Sequence, residues 1–462
     1  MKRLPPRVSS LNHESFIGNF FAMNHFESER TVMRSNDGKA GGWEIEMKFT
    51  RPWIVAGLLL TAPGAQAQLL PAPGGALGQV SGQAGGVAPH VLDRVEGRLD
   101  QAGIDRLSPA RLADRLVAAR AVRIDNLLRR HADSVELDDR REPARRGVIL
   151  LTGARAESVA ALRSAGYGVE NAAIEGLDLS VTRLTVPQGR SLSRALKQVR
   201  SLAPEAQASA DNLYFPSGAS IGLAAAALAE TGPVRGKAAG LIDGGVARHP
   251  ALSGPIEQRG FARGAPRASA HGTAVASLIS GTTGIRGAAP GAPLLVADIY
   301  GDDPAGGGAF AMARALGWMA ARGADVVTVS LVGPDNPLLA GAIRLARERG
   351  VSVVAAVGND GPAAPPAYPA SYAGVIAVTG IDGRGRVLPE AGRARHVDFA
   401  APGADMNAAR ADGGKGKVRG TSFAAPLVAG RLFATGSLAA LRAEAKRGGR
   451  LSVVCGNCRN ND

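Results

Sequence analysis

Gly420-Thr421-Ser422-Phe423-Ala424-Ala425-Pro426-Leu427-Val428-Ala429-Gly430 carries the decisive chemistry of this chain. A serine stands two residues after a glycine at the start of a predicted helix, and small residues with a first-turn proline come after it. A serine in that place is ordinarily an N-cap. A helix start also offers unpaired backbone N–H groups at the positive end of the dipole. Those groups can hold a developing oxyanion if the serine is a nucleophile. A serine hydroxyl is a weak nucleophile and needs a base, and the base needs a group to orient it. The stretch therefore sends the search outward along the chain.

Upstream lies His271-Gly272-Thr273-Ala274-Val275-Ala276-Ser277-Leu278-Ile279-Ser280-Gly281, a histidine heading a helix made almost wholly of small residues. Further upstream, the apolar run Ala239-Gly240-Leu241-Ile242 ends in Asp243-Gly244-Gly245. By itself that aspartate reads as an ordinary strand-ending turn residue. Around these motifs, β-branched runs at 238–242, 294–299, 326–330, 351–357 and 374–379 alternate with helical stretches at 306–322 and 337–349. The alternation predicts an α/β fold, and the near-continuous apolar strands predict a parallel sheet covered by helices on both faces. Binding groups gather at the carboxyl ends of such strands, where Asp243 falls.

Together the three residues mean more than they do singly. Ser422 can attack, His271 can take its proton near neutral pH, and Asp243 can orient and stabilise the imidazolium. The order Asp, His, Ser is the subtilisin order among the known arrangements of this constellation. The region from about Gly236 to Leu432 resembles a subtilisin-like serine protease, or subtilase, catalytic domain, with the three residues in the family's active-site motifs. Between them, Ala355-Ala356-Val357-Gly358-Asn359-Asp360-Gly361 is similar to the family's oxyanion-asparagine motif, and Val329-Ser330-Leu331-Val332-Gly333-Pro334 resembles its substrate-binding strand. Tyr368-Pro369-Ala370 with Val375-Ile376-Ala377-Val378, and Ala401-Pro402-Gly403, match as well.

The resemblance implies a serine endopeptidase acting on protein or peptide substrates through an acyl-enzyme. Asn359 would be the side-chain oxyanion donor. Ser330, Leu331, Val332 and Gly333 would pair with the substrate backbone, and Val357 and Gly358 would line the facing wall. Val332 stands where the family commonly keeps glycine, which implies a narrowed pocket and a small residue before the cleaved bond. Ala274 stands where histidine is frequent, and only 32 residues follow Gly430, so the sheet is expected to have minimal cover there. No cofactor is required. Structural calcium occurs in the family, but no D-x-D-x-D-G loop is present and no metal ligand is assigned.

Upstream, residues 147 to 216 read as a small α+β module in the order β-α-β-β-α, with helices over 156–165 and 191–202, and residues 132–144 as a charged, turn-like stretch. By resemblance this module is a pro-region acting as an intramolecular inhibitor. A Gly/Ala-rich linker is expected over 217–235, the catalytic domain over 236–435 and a short tail over 436–462. That tail reads as one amphipathic helix over 436–450 and a short strand at 451–454. Residues 68–146 read as a Gly/Pro-rich linker followed by an amphipathic helical stretch over 89–131, broken near Ser108-Pro109.

Residues 47 to 67 have the three parts of a secretory signal: Lys48 and Arg51, an apolar run from Trp53 to Ala62, and Ala65-Gln66-Ala67. Export to the periplasm or the outside is expected. Residues 1 to 46 differ in character and read as a non-native leader or a start-site error. The apolar run is too short for a spanning helix of ~20 residues, so no stable membrane anchor is expected. The net charge of +14 is mostly arginine spread among polar positions, and without zinc-finger or RNP spacing it does not amount to a nucleic-acid site. Cys455 and Cys458 read as a local disulfide or as a pair without function. The rival to an active enzyme is an inactive or self-inhibited binding protein on a protease fold.

Overall fold

The computed structural model describes residues 108–217 and 226–459, and the expected leader, signal segment and Gly/Pro-rich linker lie outside them. The described chain opens with helix α1 (Pro109–Arg130), capped by the Ser108 hydroxyl and started by a proline whose missing N–H costs nothing there. Then come β1 (Val135–Leu137), β2 (Pro143–Thr152), α2 (Ala156–Ser164), β3 (Gly168–Ile174), β4 (Leu179–Thr185), α3 (Leu192–Leu202), β5 (Gln207–Asn212) and β6 (Phe215–Pro216). The stretch expected to be turn-like over 132–144 therefore holds β1 and the start of β2. These two strands pair from Val135↔Arg145 to Leu137↔Pro143, which draws charged residues into a ladder that propensity disfavours.

Five antiparallel strands form one sheet, in which β2 pairs with β1, β4 and β5, and β4 pairs with β3. One face is buried under α2 and α3 through Ile149, Leu151, Leu184, Leu192, Leu196 and Val199. The opposite face contributes Leu150, Ile174 and Val181 to the core of the following domain. The period-two alternation of Ile149, Leu150 and Leu151 thus serves two different cores.

That following domain is built from β7 (Ala238–Asp243), β8 (Gly245–Val246), β9 (Ile256–Gly260), β10 (Ala268–Ser269), α4 (Ala270–Ser280), β11 (Leu294–Asp298), α5 (Ala309–Ala321), β12 (Ala324–Val329), β13 (Leu331–Val332), α6 (Pro337–Glu348), β14 (Ser352–Ala356), β15 (Ile376–Ile381), β16 (Phe399–Pro402), β17 (Met406–Ala409), β18 (Lys415–Val418), α7 (Thr421–Thr435), α8 (Leu438–Glu444), β19 (Lys446–Gly448) and β20 (Leu451–Val453). Among the described residues the main sheet has nine strands, in the order β19-β20-β16-β15-β14-β12-β7-β11-β9. All its neighbours are parallel except β19 and β20. Ala238 and Ile242 face α5 and α6, while Ala239 and Leu241 face α4 and α7. Each fully buried Leu, Ile or Val in these layers is worth about 1.5–3 kcal/mol.

The tail covers more than expected. The helix predicted over 436–450 ends at Glu444, and β19 and β20 form a hairpin about Gly449-Arg450. β20 joins the sheet beside β16, and Leu441, Val454 and Cys455 enter the core. Cys455 and Cys458 are disulfide-bonded.

Successive strands run to opposite sides of β7: β11 and β9 on one flank, β12, β14, β15 and β16 on the other. The carboxyl end of β7 is thus a topological switch point, where a crevice opens in an α/β sheet. Asp243 is its last residue.

Candidate active site

Asp243 is fully buried, and its two oxygens are both used. Oδ1 accepts the Gly244 N–H at 2.8 Å, and Oδ2 lies 2.8 Å from His271 Nδ1. An ionised carboxylate can only accept, so the proton sits on Nδ1 and Nε2 is the basic nitrogen. His271 is the second residue of α4. That helix starts at the Ser269 cap, whose hydroxyl accepts the Gly272 N–H at 3.1 Å, while Thr273 Oγ1 donates back to the Ser269 carbonyl at 2.6 Å. Gly272 is required by close packing, because a Cβ there would lie 2.3 Å from the Gly244 carbonyl oxygen. A side chain would push the first turn of α4 away from the loop after Asp243 and carry the ring with it.

Ser422 is the second residue of α7, not its cap. Gly420 holds the cap position at φ 135°, outside the comfortable range of L side chains. The serine hydroxyl is buried and makes no hydrogen bond. Its helix packs on α4, and the His271 ring lies 5.5 Å, centroid to centroid, from Phe423. Pro426 sits in the helix interior rather than in the first turn. It lacks the N–H that would have bonded the Ser422 carbonyl four residues back. The Ser330 hydroxyl donates to that carbonyl instead, at 2.8 Å.

Asn359 follows β14 at the mouth of the same crevice. Its Oδ1 accepts the Thr421 N–H at 3.0 Å, and Thr421 Oγ1 bonds both the Gly358 N–H and carbonyl at 3.1 Å. The amide is therefore held with Nδ2 turned outward. What Nδ2 meets is the carbonyl oxygen of Ser217, and the same oxygen accepts the Ser422 N–H at 3.2 Å. Ser217 belongs to a stretch expected to be linker. It is instead buried, and its own N–H donates to the Ser330 carbonyl at 3.2 Å.

The segment before it lies in the crevice as an added strand. β6 pairs antiparallel with β13, Pro216 opposite Leu331 and Phe215 opposite Val332. Tyr214 is fully buried, its hydroxyl donating to the Pro334 carbonyl at 2.7 Å. A Cβ on Gly333 would come within 2.6 Å of the Tyr214 ring, so glycine is needed for that ring to seat. On the other wall, Val332 Cγ1 lies 3.3 Å from the Cβ position of Gly358, and Ala367 Cβ lies 3.7 Å from it. Val357 and Gly358 line the same pocket as Ser217. All ten residues singled out in the sequence thus lie at this crevice or support it.

Several participants were not singled out. Asp298 ends β11 directly beside Asp243 in register. Burial raises its carboxyl above the ordinary range, although it accepts N–H bonds from Gly301, Tyr300 and Arg267. The bond to Arg267, 2.7 Å, fixes the approach to the α4 cap. An aspartate closing an apolar strand, as at Asp243, was the available signal. Ser217 was signalled by an apolar, aromatic run ending in Pro-Ser before Gly/Ala-rich sequence. Among the described residues no group of three or more His, Cys, Asp or Glu side chains is placed to hold a metal ion.

A sequence model of the Subtilase family matches residues 235–438. Subtilisin BL of Lederbergia lenta is 34% identical over 201 residues, which is 41% of this chain and 72% of that protein. The chain belongs to the subtilase family. This subtilase is also 36% identical over 171 residues to the major intracellular serine protease of Bacillus subtilis (strain 168), covering 35% of its own length and only 53% of that relative. In three dimensions it is similar to fervidolysin from Fervidobacterium pennivorans, with a TM-score of 0.52, 21% identity, and 63% of this chain and 55% of that one covered. At that identity the likeness speaks for the fold alone.

Proposed function

We propose that this subtilase is an exported serine endopeptidase that first cuts its own chain after Ser217. The observation that carries the reading is the Ser217 carbonyl oxygen, which lies between the Ser422 N–H and the Asn359 amide. Donors aimed at one carbonyl oxygen, beside a buried hydroxyl without a hydrogen-bond partner, are what acyl transfer requires. His271 Nε2 takes the proton as Ser422 Oγ attacks the Ser217 carbonyl carbon. Asp243 holds the imidazolium through Nδ1. The tetrahedral oxyanion rests on the Ser422 N–H and Asn359. His271 then gives its proton to the Gly218 nitrogen, which leaves, and water releases Ser217 as a carboxylate from the acyl-enzyme.

Before and after that cut, the module from β1 to Ser217 fills the crevice and acts as an intramolecular inhibitor. The antiparallel addition of β6 to β13 supports this, since it places Tyr214-Phe215-Pro216-Ser217 as a substrate would lie. Val332 against Gly358 supports a preference for small residues before the cleaved bond. The signal-like segment over 47–67 supports export, periplasmic or extracellular.

The test is expression from Met47, with mass and amino-terminal analysis of the products and fluorophosphonate labelling. The wild type should yield a fragment starting at Gly218 and a labelled Ser422. Ser422→Ala should stay whole and unlabelled. A folded wild type that is neither cut nor labelled would leave a binding protein on this fold.

A further inference from the structure

The crevice is covered by more than the strand that enters it. Helix α1 precedes the five-stranded module and lies over the pocket that holds Ser217. Arg120, Arg123, Ile124 and Leu127 form its outer wall. The helix is anchored one residue from the oxyanion asparagine. Arg120 Nε lies 3.3 Å from Asp360 Oδ2, and Arg123 pairs with Asp360 Oδ1. Arg120 also reaches Glu142 Oε2 at 2.8 Å, tying the helix to the start of β2. One turn earlier, Leu116 is almost wholly buried against Gly361, where a Cβ would lie 2.8 Å from Leu116 Cδ1. Toward the other end, Leu127 and Leu128 pack with Val135, Leu213, Phe215 and Ala305.

We propose that the surface at Asp360-Gly361 is a second docking site for the inhibitory module, occupied by α1, and that this helix holds the cleaved module in the crevice. The inference rests on the protease reading above. Cutting the Ser217–Gly218 bond frees one end of β6 but breaks none of the α1 contacts. The two attachments, strand in crevice and helix on Asp360, belong to one chain, so each raises the local concentration of the other. The arginine pairs sit at the rim, part-exposed, and are therefore open to screening by salt.

The test uses the full chain from Met47, wild type and Arg120→Glu/Arg123→Glu. Three quantities are followed: cleavage after Ser217, the rate at which the cleaved module separates on gel filtration, and the rate of fluorophosphonate labelling. The variant should still be cut after Ser217, but lose the module and take up label about five- to tenfold faster. Raising salt from about 0.05 to 0.5 M should speed release more from the wild type than from the variant, whose glutamates repel Asp360 and Glu142 and are screened in the opposite sense. If the double variant does not fold, Arg120→Gln/Arg123→Gln takes its place, because the salt response of the wild type also includes the pairs Arg145–Asp303, Arg259–Glu175 and Arg349–Asp178. Cleavage with release that is indifferent to the substitutions, whatever its response to salt, overturns the second docking site alone. Absence of cleavage and of labelling in every sample overturns the protease reading and this inference with it.

Discussion

Val332 shows how much a single side chain decides. Its Cγ1 reaches across the pocket to within 3.3 Å of where a Gly358 Cβ would stand. The residue seated there in this chain is Ser217, which is small enough to fit. A change of one methylene in an apolar pocket is worth ~1–3 kcal/mol, or about 10–200-fold in discrimination. Val332→Gly should therefore raise kcat/KM for a peptide with Phe before the cleaved bond by at least about tenfold relative to the Ser peptide. Peptide profiling of the two proteins measures this. If the parent already cuts after Phe or Tyr as well as after Ser, the pocket argument is wrong.

At the scale of the element, α7 illustrates how a hydrogen bond lost inside a helix is replaced from outside it. Pro426 leaves the Ser422 carbonyl without its helical donor, and the Ser330 hydroxyl supplies the replacement. This bond also ties the backbone of Ser422 to the start of β13. Ser330→Ala orphans a buried carbonyl and should cost about 1–3 kcal/mol. Adding Pro426→Ala restores an N–H at the right place and should return part of that loss. Thermal unfolding of the single and double variants is the measurement. A double variant no more stable than Ser330→Ala would show that the proline is not what makes the serine necessary.

At the scale of the whole molecule, the five-stranded module docks by finishing the other domain's helices. Asp211 Oδ1 accepts the Phe310 N–H at the start of α5, at 3.0 Å. Asn336, the cap of α6, donates through Nδ2 to the Ala210 carbonyl and to Asn212 Oδ1. Burial pushes the Asp211 carboxyl above the usual range, against the pull of the Phe310 N–H and Arg145. The docked state therefore holds this proton more tightly than the free module does. Its contribution to docking is complete below the free value of about 4 and is lost as pH rises through the raised one. Dissociation of the cleaved module should accelerate as pH is raised from about 4 toward neutrality, and Asp211→Asn should flatten that dependence. Gel filtration across the pH series reads it directly. A slope that survives in Asp211→Asn would assign it to another group.

Local pattern determined the candidate site residues and the frame that holds them. Asp243, His271, Ser422 and Asn359 stand in motifs whose small residues are demanded by close packing within a few residues, as Gly272 is by the Gly244 carbonyl. Apolar runs and their spacing were enough to place the central strands of the sheet and helices α5 and α6, because burial on both faces leaves a signal in every residue. What could not be read was which distant segments meet. Ser217 acquires its meaning only because β6 finds β13, and α1 only because Arg123 reaches Asp360 across 237 positions. Neither partner carries a mark of the other in its own neighbourhood. β1 and β19 were hidden for the same reason: their charged residues have no strand preference of their own, and pairing with β2 and β20 supplies the ladder. Chemistry and secondary structure are set by near neighbours along the chain, whereas occupancy of the crevice is set by shape and charge that exist only once the sheet has closed.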